Sequence, residues 1–157
     1  MSELRTNKIY PRDGLPAGAS GGGIIQTVYQ NINSTVTSSS STLVSAGFSI
    51  SITPTSSSNK ILVLGNMGGC DKRTNNTYMN VKLYRNGSAI YTPEVQALWT
   101  NNTNNSSQTV SFQYLDSPAT TSSVSYDVYI SSVGANSQVS VQWTNAYSSI
   151  TLVEVSG

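Results

Sequence analysis

Strict alternation of apolar and polar residues is the feature that most narrows what this chain can become. Val124, Tyr126, Val128 and Ile130 point one way, while Ser125, Asp127, Tyr129 and Ser131 point the other. Successive side chains of an extended strand leave on opposite faces, so this run predicts a strand with one buried face. Phe48, Ile50 and Ile52 repeat the pattern until Pro54 ends it, and Val110, Phe112 and Tyr114 repeat it again. Met79, Val81 and Leu83 alternate with Asn80, Lys82 and Tyr84 up to Asn86-Gly87. That pair tolerates positive φ and predicts a tight hairpin into Ala89, Ile90 and Tyr91. Val139, Val141 and Trp143 against Ser140 and Gln142 predict a further strand with Trp143 in the core; the Gly134-Ala135-Asn136 turn would join it to the preceding strand as a hairpin. No stretch has helical periodicity. Eight or nine strands at this spacing predict an all-β fold, an antiparallel β-sandwich, and without a Cys-Trp-Cys framework it reads as jelly-roll-like rather than immunoglobulin-like.

Two runs are apolar on both faces. "KILVLGNM" (60–67) is one; "SSITLVEV" (148–155) sets Ile150 and Leu152 on one face and Val153 and Val155 on the other. Such strands need cover on both sides. In a two-layer sandwich one face of every strand is outward, so these runs predict contact with another subunit. Packed around a threefold axis, the outward faces make a homotrimer.

The surface is polar with little charge. Ser, Thr and Asn number 28, 17 and 15 of 157 residues, whereas charged residues are 10%, against about 25% in an average domain. A net charge of +1 offers no field for a phosphate backbone or an anionic lipid surface, which argues against nucleic-acid and membrane partners. No apolar run approaches the length of a membrane span, and the N-terminus lacks a signal-peptide core. The single Cys70 has no partner for a disulfide or a thiolate metal site, and histidine is absent. That removes the usual general base and the commonest transition-metal ligand. No cofactor and no metal are expected.

The chain divides in two. Residues 1–23 read as an arm: an extended piece, Leu4 to Tyr10, then Pro11, Pro16 and a Gly21-Gly22-Gly23 hinge. Residues 24–157 read as one domain, a length sufficient for a single core. Leu4, Arg5, Lys8, Ile9 and Tyr10 are the candidate docking residues of the arm. Its "GLPAGASGGG" lacks the Gly-Lys-Ser/Thr ending of a phosphate loop.

Four phrases, "ELRTNKIYPRDGLPAGASGGGIIQTVYQ", "SSSNKILVLGNM", "YLDSPATTSSVSYDVYI" and "SSITLVEVSG", together resemble tail-fibre and related virion-appendage proteins of tailed bacteriophages, particularly the marine and cyanobacterial type. The resemblance runs over nearly the whole chain. It implies a non-enzymatic virion protein, assembled in the host cytoplasm, that trimerises, attaches to tail or capsid proteins by its N-terminus and presents its C-terminal domain outward. Unlike long fibres, the chain has no repetitive shaft. A structural capsid decoration or tail adaptor without a ligand is the alternative role.

Within the domain, Asp71, Glu94, Asp116 and Asp127 are the carboxylates that a glycosidase pair would draw on. Asp116-Ser117-Pro118 reads more simply as a turn initiator, and Asp127 as part of a polar strand face. Cys70 reads as a partly buried, unreactive thiol. Two polar stretches set amides beside aromatic rings: "GGCDKRTNNTY" (68–78), with Arg73, Asn75, Asn76 and Tyr78, and "WTNNTNNSSQ" (99–108), with Trp99, Asn101, Asn102, Asn104 and Asn105. Planar amides bond hydroxyls and rings stack on the apolar face of a sugar, so both are candidate loops for a host cell-surface glycan.

Overall fold

The computed structural model describes residues 23–101, 104–134 and 138–157. The arm residues Leu4, Arg5, Lys8, Ile9 and Tyr10, together with Asn102, lie outside them. Ten strands follow one another: β1 (Ile24–Ile32), β2 (Val36–Ser38), β3 (Val44–Ile52), β4 (Lys60–Lys72), β5 (Thr77–Arg85), β6 (Ser88–Thr100), β7 (Ser106–Asp116), β8 (Val124–Val133), β9 (Val139–Val141) and β10 (Ser148–Val155). A 3-10 turn, Trp143–Asn145, separates the last two.

The strands form two antiparallel sheets. One runs β1-β10-β4, with β7 on the far edge of β4 and the short β9 and β2 continuing from its end; the other runs β3-β8-β5-β6. Among the eight long strands only β5 and β6 are consecutive neighbours in one sheet, and every other connection crosses between layers. This is the order of a jelly roll, two Greek keys closed into a sandwich. The β5–β6 hairpin is the one expected: Arg85 pairs with Ser88 across Asn86 (φ 47°) and Gly87 (φ 79°), the left-handed pair that a tight primed turn needs.

Alternation places the core. Ile61, Val63 and Met67 of β4, with Ile150 and Leu152 of β10, face Phe48, Ile50, Val81, Leu83, Tyr126, Val128 and Ile130 from the opposing sheet, all buried. Gly65 occupies an inward position between Val63 and Met67, and the Phe112 ring lies over it. A Cβ there would come within 2.2 Å of the ring.

Two expectations need correction. β9 makes no hairpin with β8. It pairs with β2 and with the end of β4 in the other sheet, because β8 already has β3 on one edge and β5 on the other. Trp143 is not core: Gln142 takes a left-handed φ of 54°, which breaks the alternation. Gln142 is therefore buried and Trp143 turns outward.

The pole where the described chain begins is tied by a buried carboxylate. Glu154 Oε1 accepts from Thr55 N (2.7 Å), Thr55 Oγ1 (2.8 Å) and Asn59 Nδ2 (2.6 Å), and Oε2 from Gln26 Nε2 (2.5 Å). Burial raises the Glu154 pKa, but the hydrogen bonds from Asn59, Gln26 and Thr55 outweigh it and hold the carboxyl at about 2. The folded pKa lies below the unfolded one, so this stabilisation is complete above about pH 4.5 and is lost as pH falls toward about 2. The difference corresponds to on the order of 3 kcal/mol. Glu154→Gln should lower the urea midpoint at pH 7, with the gap between variant and native shrinking to less than half by pH 3. Curves that stay parallel from pH 7 to pH 3 would show that Glu154 carries no such linkage.

Candidate functional site

Most of the two polar stretches is strand. β4 continues through Lys72 and β5 starts at Thr77, while β6 runs to Thr100 and β7 starts at Ser106. Cys70, Asp71 and Lys72 pair with Gln108, Ser107 and Ser106, so backbone pairing extends the ladder through residues whose side chains gave no strand signal. The described residues of these stretches outside strands are 73–76, 101, 104 and 105. They meet: Asn104 Oδ1 accepts from Asn75 N at 2.8 Å, and Thr100 O accepts from Asn76 N at 2.9 Å. The third neighbour is the β8–β9 connection, where Gln138 O accepts from Arg73 N at 3.1 Å.

Trp99, expected at a loop start, is a strand residue whose direction is set by a bulge. From Thr77 to Met79 β5 advances two residues, while β6 advances three, from Thr100 to Ala97. Leu98 holds the extra position at φ 69°, a left-handed conformation costing about 1–2 kcal/mol for a residue with a Cβ. Ala97 and Leu98 are consequently both buried, and Trp99 is 51% exposed. Unbroken alternation after Ala97 would have sent Trp99 into the core. Tyr78 takes an outward position opposite the bulge, between buried Thr77 and Met79. Asn75, Asn76, Asn101, Asn104 and Asn105 are all exposed.

A second break shapes the same end. β4 gains a residue against β7 between Met67 and Cys70, with Gly69 at φ 58°. Here β4 exchanges β10 for β9 on one edge, and the Trp143–Asn145 turn packs into the gap. A Cβ on Gly69 would stand 2.7 Å from Trp143 N, and one on Gly68 2.2 Å from Tyr147 O. Trp143, brought here, lies beneath Arg73, whose guanidinium carbon is 3.9 Å from the ring centroid. Arg73 Nε is 2.8 Å from Asp71 Oδ2, too poorly aligned for a hydrogen bond, so the contact is an ion pair. Asp71 Oδ1 accepts from Ser107 Oγ at 2.6 Å. Lys72 is buried, and its ammonium donates to Thr100 Oγ1 and, at 3.3 Å, to Thr100 O. Burial lowers its pKa.

Of the other candidate carboxylates, Asp116 is tied into the framework, Glu94 is exposed and Asp127 lies on the outer face of β8. Asp116 is buried rather than a simple turn initiator: both its oxygens accept from Arg85 Nη1, at 2.8 and 2.9 Å, and Oδ2 also accepts from Tyr126 Oη at 2.6 Å. Glu94 accepts from Val95 N and Gln96 N. Among the described residues no group of three or more His, Cys, Asp or Glu could hold a metal. A depression of about 610 Å³, reached by Leu64, Tyr91, Pro93 and Phe112, lies along β7 and includes none of the candidate residues. The sequence singled out Trp99 and the asparagines but missed Leu98, Lys72 and Trp143. The only trace of the bulge is the uninterrupted apolar triplet Ala97-Leu98-Trp99.

No family model matches the chain, and no curated protein matches it. Solved structures similar to it include infectious bursal disease virus Gx strain, with TM-score 0.46 and 16% identity over 85% of this chain and 33% of that chain. The VP2 subviral particle of infectious bursal disease virus has TM-score 0.46 and 12% identity over 85% of this chain and 38% of that one. A mutant VP2 protein of the virus, in T=1 particles, has TM-score 0.45 and 13% identity over 92% and 44%. The chain spans less than half the length of each of these three.

Cys70 belongs to the packing of this end. Its thiol is fully buried and donates to Met67 O at 3.3 Å, and burial pushes its pKa up to about 12. Ellman's reagent at pH 8 should therefore leave the native protein unlabelled and titrate one thiol per chain in urea. Rapid labelling without denaturant would show that β4 opens at its bulge.

Proposed function

We propose that the chain is a non-enzymatic virion structural protein: a jelly-roll knob, homotrimeric, attached through residues 1–23 and offering its loop end to a host-surface saccharide. The observation that carries this reading is the polarity of the sandwich. Gly23, whose carbonyl accepts from Ser156 N, and Ile24, paired with Val155, lie at the Glu154 pole. Trp99, the turn 73–76 and Asn104 lie at the other. The 13 residues of β4 separate the two poles by roughly 40 Å. A segment that docks at one pole leaves the other facing away from the particle. The strained bulge that exposes Trp99 supports recognition there, since backbone strain in folded proteins clusters at functional positions.

The outer face of β1-β10-β4-β7 supports the trimer. Val153, Leu62 and Leu115 stand directly opposite one another across three strands, with Leu64 and Tyr29 nearby on the same face. Leu115 is 50% exposed and Tyr29 60%. Fully covering a leucine contributes about 1.5–3 kcal/mol.

Two experiments test this reading. Trp99→Ala, being at an exposed ring, should leave the melting temperature nearly unchanged and reduce adsorption of particles to host cells. Unchanged adsorption by a stable variant would remove this end as the receptor site and favour a decoration or adaptor role. Light scattering at micromolar concentration should give the mass of three chains, and Leu64→Asp with Leu115→Asp the mass of one. A monomeric native protein would remove the trimer.

A further inference from the structure

Resting on the saccharide reading above, we propose that the ligand is acidic, and that the terminal nitrogens of Arg73 bind its oxyanion, a carboxylate or a sulfate. The guanidinium is held on two sides. Its central carbon lies over the Trp143 ring, 3.9 Å from the centroid, and its Nε faces Asp71. No described group pairs with either terminal nitrogen, and the side chain is 32% exposed. A guanidinium held over a ring is a preorganised, weakly hydrated fork, and what fits its open edge is an anion that accepts two parallel hydrogen bonds.

The surroundings favour that occupant. Asp71 cannot supply the second anion: Ser107 holds its Oδ1, Arg73 Nε its Oδ2, and the carboxylate is buried. Asp71, Lys72 and Arg73 together carry a formal charge of +1. Among the described residues no carboxylate pairs with the Lys72 ammonium, whose acceptors both come from Thr100. The described turn residues that meet here, 73–76, 101, 104, 105 and 138, include no Asp or Glu. Asn75, Asn76, Asn101, Asn104 and Asn105 are exposed among them and supply neutral donors for hydroxyls beside the anion. The class of ligand is therefore a polysaccharide bearing uronate-type carboxylates or sulfate esters, with the ring system read by Trp99 and the amides and the charge by Arg73.

The test is retention of the purified full chain on immobilised polymers in matched pairs: polygalacturonate against its methyl ester, and dextran sulfate against dextran. The native protein should prefer the acidic member of at least one pair, and the pair preferred identifies carboxylate or sulfate. Arg73→Lys keeps the charge and loses the fork, and should weaken acidic binding by about tenfold or more, the scale of a charge-assisted hydrogen bond. Removing Arg73 alone would strand Asp71. The Asp71→Asn, Arg73→Gln double variant therefore serves as the second probe, expected to keep the native circular dichroism and to lose the acidic preference. Acidic binding by Arg73→Lys equal to the native protein's, at an unchanged melting temperature, would overturn the proposal and reduce Arg73 to a latch on the Trp143–Asn145 turn. Retention on neutral polymers that Trp99→Ala abolishes, with no acidic preference, would also overturn it while leaving the Trp99 reading standing. Acidic binding that depends on Arg73 but ignores Trp99→Ala would uphold the proposal and displace the Trp99 reading.

Discussion

Left-handed backbone at three points, Gly69, Leu98 and Gln142, governs what the loop end of this sandwich presents. Each interrupts an alternation that would otherwise run on. At Leu98 the interruption sends a tryptophan out of the core, and at Gln142 it does the same to a second one. Gly69 makes room for that second ring by letting a 3-10 turn approach β4 more closely than any side chain would permit. Only one of the three is conformationally free; Leu98 and Gln142 hold positive φ against the preference of a Cβ. The surrounding pairing over-determines them. Thr77–Thr100 and Met79–Ala97 bracket Leu98, and the Gln142 amide donates to Gly68 O.

With 15 charged residues in the chain, where the charges sit matters. Several of them are internal fasteners. Glu154 joins β1, β10 and the 53–59 connection through neutral donors; Asp116 and Arg85 join the two sheets near the same pole, with Tyr126 completing the group. Such groups are hard to remove singly, because the partner left behind is a buried polar atom without a match. The described exterior keeps Lys60, Lys82, Glu94 and Asp127 among many hydroxyls and amides. Arg73 is partly exposed as well, held between Asp71 and the Trp143 ring.

The two sheets divide the exterior unequally. The outer side of β1-β10-β4-β7 carries Leu62, Leu64, Leu115, Val153 and Tyr29, whereas that of β3-β8-β5-β6 carries Ser49, Ser51, Asn80, Lys82 and Asp127, with Tyr84 and Tyr129 packed together at 4.5 Å. The two layers therefore differ in character, one outer face rich in large apolar side chains and the other mostly polar.

Alternation alone was enough to identify the strands around Phe48, Met79, Val110 and Val124, the Asn86-Gly87 hairpin, and the double apolarity of 60–67 and 148–155. These are local properties: a period of two and a turn that demands positive φ act over a few residues, whatever the rest of the chain does. The same period misled at Val139–Trp143. Which strand β9 joins depends on which edges are free, and β8 had none to offer. Trp99 was legible as an aromatic residue beside amides and Trp143 as a strand residue, but neither in direction: a bulge is a mismatch between two strands that neither contains alone, and the left-handed turn at Gln142 leaves no mark in the alternation. The sequence therefore determined the class of fold and the residue types at the candidate site. Tertiary structure decided the pairing order, the joining of Asn75 to Asn104 and the outward turn of both rings, since each of these is settled by partners far away in the chain.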